Sequence, residues 1–289
     1  VNDTWLYLDC HNLLYRAFYA MGKLSHDGKS TGAVYGFLRD VQMLRQEFRT
    51  DRVAFCFDHG RNKRNRIYLP YKSGRKNKKR TPEEQEAYLD FKKQIELVKT
   101  DYLPSMGFSN VLYAKGYEAD DIIASLCKSD AAMGDDVVIV SSDTDLYQLL
   151  TNTVSIYKPT QKELFTAKQF KQRYGIKPQE WVHVKALTGC HSDSIPGVPR
   201  FGEKTALSYL KGEKVSWWKK DELFTKIQKF ETLRLRNIRL IKLPLPFTPR
   251  FELRPDEVTL DKWRSVAQRL GITSLPAPIP VFQGRKANG

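Results

Sequence analysis

Seven carboxylates stand where apolar runs end or a helix opens, a placement suited to holding divalent cations. Trp5-Leu6-Tyr7-Leu8 runs into Asp9, and Val53-Ala54-Phe55-Cys56-Phe57 runs into Asp58. Val137-Val138-Ile139-Val140 leads to Asp143 and Asp145, while Gly116-Tyr117-Glu118-Ala119-Asp120-Asp121 opens an amphipathic helical stretch. In a parallel α/β sheet the carboxyl ends of the strands share one edge, and ligand sites form there. Carboxylates crowded on that edge suit a hard cation with oxygen ligands. Two such ions about 4 Å apart are the arrangement that assists phosphodiester hydrolysis. Any one of these acids also reads as a helix cap, and Asp58 as a turn residue before Gly60. Nearby lysines could also supply the counter-charge without a metal.

The elements that must carry these residues alternate. Helical spacing over 11–21 and 31–48 follows the first strand, with Val34, Phe37, Leu38, Val41 and Leu44 on one face. Strands are expected at 53–57, near 111–113, at 137–140 and around 154–157, with helices at 118–132 and from Asp143. Such alternation implies right-handed βαβ crossovers and a parallel sheet covered by helices on both faces. From Thr166 onward the pattern turns helical, with helices at 178–188, 203–210, 221–228, 230–240 and 260–270. Pro276 to Gly289 reads as a poorly ordered tail.

A chain of 289 residues with 41% hydrophobic content can bury one large core or two ordinary ones. Its formal net charge of +15 points to a polyanionic partner, of which nucleic acid is the commonest. A membrane surface is the rival partner, but no apolar run approaches the roughly 20 residues that cross a bilayer. No lipidation motif or signal peptide is visible. Cys10, Cys56, Cys127 and Cys190 form no CxxC pair, which fits free thiols in a reducing compartment. A cytoplasmic monomer without membrane association is the resulting expectation.

Arg61–Arg80 has a character of its own, with ten Lys or Arg in twenty residues and no acid. It ends at Thr81-Pro82-Glu83-Glu84, whose N-cap and N1 proline start a helix running into the high nineties. The segment reads either as a solvated loop or as a basic insertion close to the acidic edge; Tyr68, Tyr71 and the Pro70 and Gly74 breaks favour the second. Further on, Ile195-Pro196-Gly197-Val198-Pro199-Arg200-Phe201-Gly202 separates two helices. A glycine-punctuated turn of this kind either forms an ordinary hairpin or grips a phosphate backbone, with the second helix's first N–H groups pointing at phosphate.

An ordered series of segments resembles one family. Asp9-Cys10-His11-Asn12-Leu13-Leu14-Tyr15-Arg16, Ala33-Val34-Tyr35-Gly36-Phe37, Tyr71-Lys72-Ser73-Gly74-Arg75 and Gly116–Asp121 come first. Ser142–Leu149, Ala186-Leu187-Thr188-Gly189, Ser192–Val198 and Gly202-Glu203-Lys204-Thr205-Ala206 complete it. Over roughly residues 4–275 the chain resembles the bacterial and phage 5′ nucleases, or flap endonucleases, which also form the N-terminal part of bacterial DNA polymerase I. With no polymerase following, it resembles a free-standing member.

The resemblance implies a PIN-like α/β catalytic domain over 1–165, with a basic helical arch at about 61–100. A helix–three-turn–helix DNA-binding region over 166–275 and the tail at 276–289 would follow. It implies metal ligands at Asp9, Asp58, Glu118, Asp120, Asp121, Asp143, Asp145 and Asp193, holding two Mg²⁺ or Mn²⁺ ions. Lys72 and Arg75 would face the scissile phosphate, and Tyr71 would stack on a base beside it. Arg16, Lys76, Lys78, Lys79, Arg80, Gly197, Gly202, Lys204 and Thr205 would contact DNA. Carbonyls of Ser192, Ile195 and Val198 would hold K⁺. DNA with a 5′ flap or free 5′ end is the implied substrate, cut to leave a 5′-phosphate and a 3′-hydroxyl in primer or flap removal.

Two departures stand out. The family reads Gly-Asp-x-Ser-Asp-Asn where this chain has Gly189-Cys190-His191-Ser192-Asp193-Ser194. A thiol therefore replaces a carboxylate of the second metal position, and sulfur is a soft ligand for Mg²⁺. Arg200-Phe201 replaces a Gly-Ile pair. A ribonuclease of the wider PIN group and a DNA-binding protein with weak catalysis are the alternative readings.

Overall fold

The computed structural model describes residues 4–22, 24–26, 28–76, 79–129, 134–213, 220–272 and 274–275. The tail at 276–289 and Lys78 lie outside these, as does the side chain of Lys76. Strand β1 (Thr4–Asp9) leads directly into α1 (Cys10–Met21), and a two-residue hairpin, β2 (Ser25–His26) with β3 (Lys29–Ser30), precedes α2 (Gly32–Glu47). Then come β4 (Val53–Phe57), a short α3 (Ser73–Lys76), α4 (Pro82–Leu97) and α5 (Leu103–Met106). Strand β5 (Val111–Tyr113), α6 (Ala119–Lys128), β6 (Asp136–Val140), β7 (Val154–Lys158) and β8 (Glu163–Phe165) complete the sheet region.

The sheet order is β5-β4-β1-β6-β7-β8. After β1 the chain builds outward on one side through β4 and β5, then returns to the other side with β6. Strand order reverses at β1, which is where ligands bind in open α/β sheets. Strands β4 and β6 both run parallel to β1, in registers that set Leu8 opposite Phe55 and Val140. Asp9, Asp58 and the loop after Val140 therefore emerge on one edge. The expected parallel sheet is bounded by an exception: β8 returns antiparallel to β7. Only a short turn joins them, too short for a parallel crossover.

Side-chain alternation along the central strands feeds two cores. Leu6, Leu8, Val53, Phe55, Val138 and Val140 pack with Leu13, Phe37 and Val41 of α1 and α2. On the other face Tyr7, Cys56 and Ile139 pack with Ile122 and Ile123 of α6. That second cluster continues past residue 165. It takes in Phe170 and Tyr174 of α7 (Ala167–Tyr174), Trp181 and Val184 of α8 (Trp181–Thr188), and Phe201. Beyond α8 lie a minimal hairpin, β9 (Gly189–Cys190) with β10 (Ile195–Pro196), then α9 (Glu203–Lys211) and α10 (Lys220–Lys229). The last helices are α11 (Glu231–Ile241) and α12 (Leu260–Arg269). No helix among the described residues is long and apolar enough to cross a membrane.

Candidate active site

Asp9 caps α1 while ending β1. Its Oδ1 accepts the Asn12 N–H at 3.0 Å and its Oδ2 accepts the Ser141 hydroxyl at 2.8 Å. Ser141 in turn accepts the Asp143 N–H at 3.1 Å, so one buried hydroxyl fixes the ends of β1 and β6 to each other. Asp58 follows β4 and accepts the Ala119 N–H at 2.8 Å, which ties it to the first turn of α6. Glu118 and Asp120 sit at that same helix start. The capping reading holds for Asp9 and for Asp143, which accepts the Asp145 N–H, and these residues stand at one edge of the sheet.

Burial and neighbouring charge both act on these groups. Burial lifts the Asp9 carboxyl to about 7, with help from the charges of Asp58 and Asp143. Burial, then Asp143, Asp9 and Glu118, hold Asp120 well above the usual carboxylate range. Asp145 is raised to about 6 by burial and by Asp143, against the pull of Lys185. Asp58 goes the other way: burial would raise it, but His11, Lys72 and the Ala119 N–H together hold it low. Carboxylates that suppress one another's ionisation are a site that a multivalent cation would complete. The donors of Asp9, Glu118, Asp120 and Asp143 are all hard oxygens, the ligand type such an ion takes.

These shifts have a measurable consequence. In the metal-free protein the folded state holds protons on Asp9, Asp120 and Asp145 that the unfolded chain releases near pH 4. Stability should therefore fall as pH rises from about 4 to about 7 on account of Asp9 and Asp145, and Asp120 acts in the same direction. A bound divalent cation should remove that loss. Thermal melts with chelator and with Mg²⁺ should differ more at pH 8 than at pH 5; equal differences would contradict the linkage.

Basic groups face the cluster from the segment 61–80. Lys72 Nζ pairs with Glu118 Oε1, and Arg75 reaches Asp193 Oδ1 at 2.7 Å. Lys72 adopts a left-handed backbone, φ 57°, and its N–H donates to the Asp193 carbonyl at 2.8 Å. The Gly74 N–H donates to Ser194 Oγ at 3.1 Å, so α3 is docked on the 191–194 turn. Burial would weaken the Lys72 ammonium, but Glu118, Asp193 and Asp58 outweigh it and keep the group protonated.

Asp121 and Tyr71 do not take the places expected of them. Asp121 is fully buried and accepts two guanidinium bonds from Arg64, at 2.6 and 2.7 Å. Its remaining capacity goes to the N–H groups of Leu245 at 2.8 Å and Glu118 at 3.1 Å. Adjacent residues on a helix point about 100° apart, so Asp120 faces the cluster and Asp121 faces the interior. Tyr71 is buried against Val182, Ile195, Leu240 and Ile241, and its hydroxyl donates to Glu118 Oε2 at 2.8 Å. A ring held there positions a carboxylate and has no free face for a base.

Arg64 was not foreseen as anything but one more cation of a basic run. It is 2% exposed, and its Nε donates to the Leu240 carbonyl at 2.7 Å, joining α6, the basic segment and the end of α11. Removing one partner of such a buried pair strands a charge. Arg64→Ala should cost about 3–5 kcal/mol of stability by denaturant melt. A loss below about 1 kcal/mol, the range of exposed pairs, would show the pair to be dispensable. Lys185 of α8 was also missed; its Nζ lies 2.8 Å from Asp145 Oδ1. No local signal marks either residue, since both partners are distant in sequence.

Several proposed DNA contacts are engaged within the chain. Arg16 pairs with Asp40 at 2.5 Å, and Arg80 lies over the Tyr88 ring at 3.8 Å. Lys79 and Lys204 are exposed, whereas Thr205 is buried and could offer only its backbone N–H. A Cβ at Gly197 would fall 2.2 Å from the Thr188 carbonyl, so that glycine serves close packing of the turn on α8. A Cβ at Gly202 would meet nothing within 4 Å, which leaves the start of α9 open. The Ser192 carbonyl accepts from Arg75 Nε at 3.4 Å; the Val198 carbonyl accepts from the Phe201 N–H at 3.0 Å, and Ile195 pairs with Cys190 across β9–β10. Phe201 is buried in the core, and Arg200 takes a left-handed φ of 65°.

The family model described as the 5′-3′ exonuclease N-terminal, resolvase-like domain matches residues 4–175. The chain belongs to the 5′-3′ exonuclease family. A 5′-3′ exonuclease of Buchnera aphidicola is 33% identical over 229 residues, covering 78% of this chain and 75% of that protein. The thermostable DNA polymerase I of Thermus thermophilus is 38% identical over 208 residues, 71% of this chain. This family member spans only 24% of that polymerase's length. In fold it is similar to the bacteriophage T5 flap endonuclease, solved as a pseudo-enzyme-product complex with DNA and metal ions. The TM-score is 0.68 at 22% identity, over 83% of this chain and 89% of that one.

Proposed function

We propose that the chain hydrolyses DNA phosphodiesters at a free 5′ end or 5′ flap, as a Mg²⁺- or Mn²⁺-dependent nuclease serving primer or flap removal. The observation that carries this reading is a set of buried and half-buried carboxylates at the carboxyl ends of β1, β4 and β6, faced by Lys72 and Arg75 from a basic insertion. Asp9, Asp58, Glu118, Asp120 and Asp143 would hold one ion, and Asp145 and Asp193 a second. Asp121 is left out because its oxygens are committed to Arg64. When bound, the cations would supply positive charge to the attacked phosphate and acidify the attacking water.

The residues of the chain do the rest. Lys72 and Arg75 are placed to oppose charge that grows on the phosphoryl oxygens, which is where fixed cations lower a barrier most. Ser141 and Tyr71 hold Asp9 and Glu118 in position. Water attacks phosphorus, the P–O3′ bond breaks, and the departing 3′-oxygen takes a proton, giving a 5′-phosphate and a 3′-hydroxyl. The open start of α9, with N–H groups at 203–205, would meet a backbone phosphate of the uncut duplex. K⁺ at the Ser192, Ile195 and Val198 carbonyls belongs to the same reading.

Incubation with 5′-labelled flap DNA and with single-stranded RNA, each with Mg²⁺ or excess chelator, tests it. Metal-dependent release of the flap with RNA left intact is expected. Preferential RNA cleavage would favour the ribonuclease alternative, and flap binding without cleavage would favour a binding protein.

A further inference from the structure

We propose that Asp145, Cys190 and Asp193 form a mixed thiolate–carboxylate site that selects a borderline cation such as Zn²⁺ or Co²⁺ over Mg²⁺. The inference rests on the nuclease reading only for its setting. Among the described residues, these three form the group whose donor atoms all come within 4.8 Å of one another. Asp145 lies in the turn after β6, whereas Cys190 ends β9 and Asp193 lies in the turn before β10. Their approach is a product of the tertiary fold.

Chemistry sets the selectivity. Mg²⁺ demands near-octahedral oxygen at about 2.0–2.1 Å and gives up its waters reluctantly, so sulfur is a poor third ligand for it. Zn²⁺ accepts sulfur and oxygen together, and three protein ligands with one open position is the pattern of its catalytic sites. With Zn–S about 2.3 Å and Zn–O about 2.0–2.2 Å, tetrahedral donors lie roughly 3.5 Å apart. Side-chain rotation of about an ångström closes a group already inside 4.8 Å. Lys185 and Arg75 hold one oxygen each of Asp145 and Asp193, at 2.8 and 2.7 Å, and the second Asp193 oxygen accepts only a long bond from the Tyr71 hydroxyl, at 3.5 Å. On binding, the S–H bond breaks, the proton leaves to solvent and the sulfur–metal bond forms.

The test is optical. The full chain, stripped of metal with chelator, is titrated with Co²⁺ and followed by near-ultraviolet absorbance. A sulfur-to-cobalt charge-transfer band that saturates with the intensity of one thiolate bound to Co²⁺ per chain is expected, as is its bleaching by Zn²⁺. Cys190→Ser and Cys190→Asp should both lose the band. Zn²⁺ affinity should drop in Cys190→Asp by more than the roughly 10–100-fold typical of an outer-shell partner. A wild-type protein without the band overturns the proposal, even if a variant misfolds. So does a band undiminished in Cys190→Ser, which would then belong to Cys10, Cys56 or Cys127. A chain that cuts flap DNA with Mg²⁺ but lacks the band overturns this inference alone. A band without cleavage under any cation keeps the site and removes the nuclease reading.

Discussion

Asp143→Asn is expected to slow flap cleavage by at least about 10²–10³-fold, the loss seen when one stabiliser of transition-state charge is removed. Binding of flap DNA should stay measurable. Asp143 caps the turn 144–149 by accepting the Asp145 N–H at 2.8 Å, and the amide oxygen of asparagine can accept the same bond. Its backbone N–H, donated to Ser141, is untouched by the change. The fold should therefore survive while the cluster loses one negative charge beside Asp9 and Asp120. Because Asp143 helps raise both of those groups, their carboxyls should move back toward ordinary values in the variant. Single-turnover cleavage of 5′-labelled flap DNA and a gel shift in chelator measure the two arms. Full turnover by the variant, or activity of the parent in excess chelator, would end the metal-dependent reading.

What the sequence revealed and what it hid follow from the range of the interactions. Strand ends were legible because an apolar run stopping at Asp9, Asp58 or Val140 is a local pattern. The parallel strand directions then follow from helices placed between the strands. The start of α4 was equally local: Thr81 and Glu84 cap it by exchanging side-chain and backbone bonds, as their spacing foretold. Asp121 likewise accepts the Glu118 N–H across three residues, at 3.1 Å. Which member of that acidic run turns inward was hidden, because the answer is Arg64, more than fifty positions away and disguised in a basic segment. Tyr71 misled for the same reason: an aromatic among lysines reads as a stacking platform until Val182, Ile195 and Leu240 close over it. The antiparallel return of β8 and the Lys185–Asp145 pair also depend on partners that no short window contains.

Lys72→Ala should lower kcat by about 10²–10³-fold, the scale of one lost charge stabiliser, while affinity for flap DNA changes little. Lys72 is half-buried beside Glu118, and its ammonium is held protonated by Glu118, Asp193 and Asp58. A cation fixed there costs no reorganisation when phosphoryl charge develops, which is why the effect should fall on the rate. Loss of its ion pair should not unfold the chain, because Glu118 keeps the Tyr71 hydroxyl at 2.8 Å and Arg64 at 3.3 Å. The Lys72 N–H bond to the Asp193 carbonyl is also independent of the side chain. Arg75→Ala should behave similarly but more mildly, since its side chain is 54% exposed. Neutralising Lys76, Lys78, Lys79 and Arg80 together makes the contrast. If they meet single-stranded phosphates, the slope of log affinity against log salt should shrink by roughly 3, at about 0.7 per contact. Their effect on kcat at saturating DNA should be small. Single-turnover rates and salt-dependent binding on the same flap separate the two groups; a Lys72→Ala variant that changes affinity alone would remove that residue from the chemistry and leave it a phosphate contact like the other four.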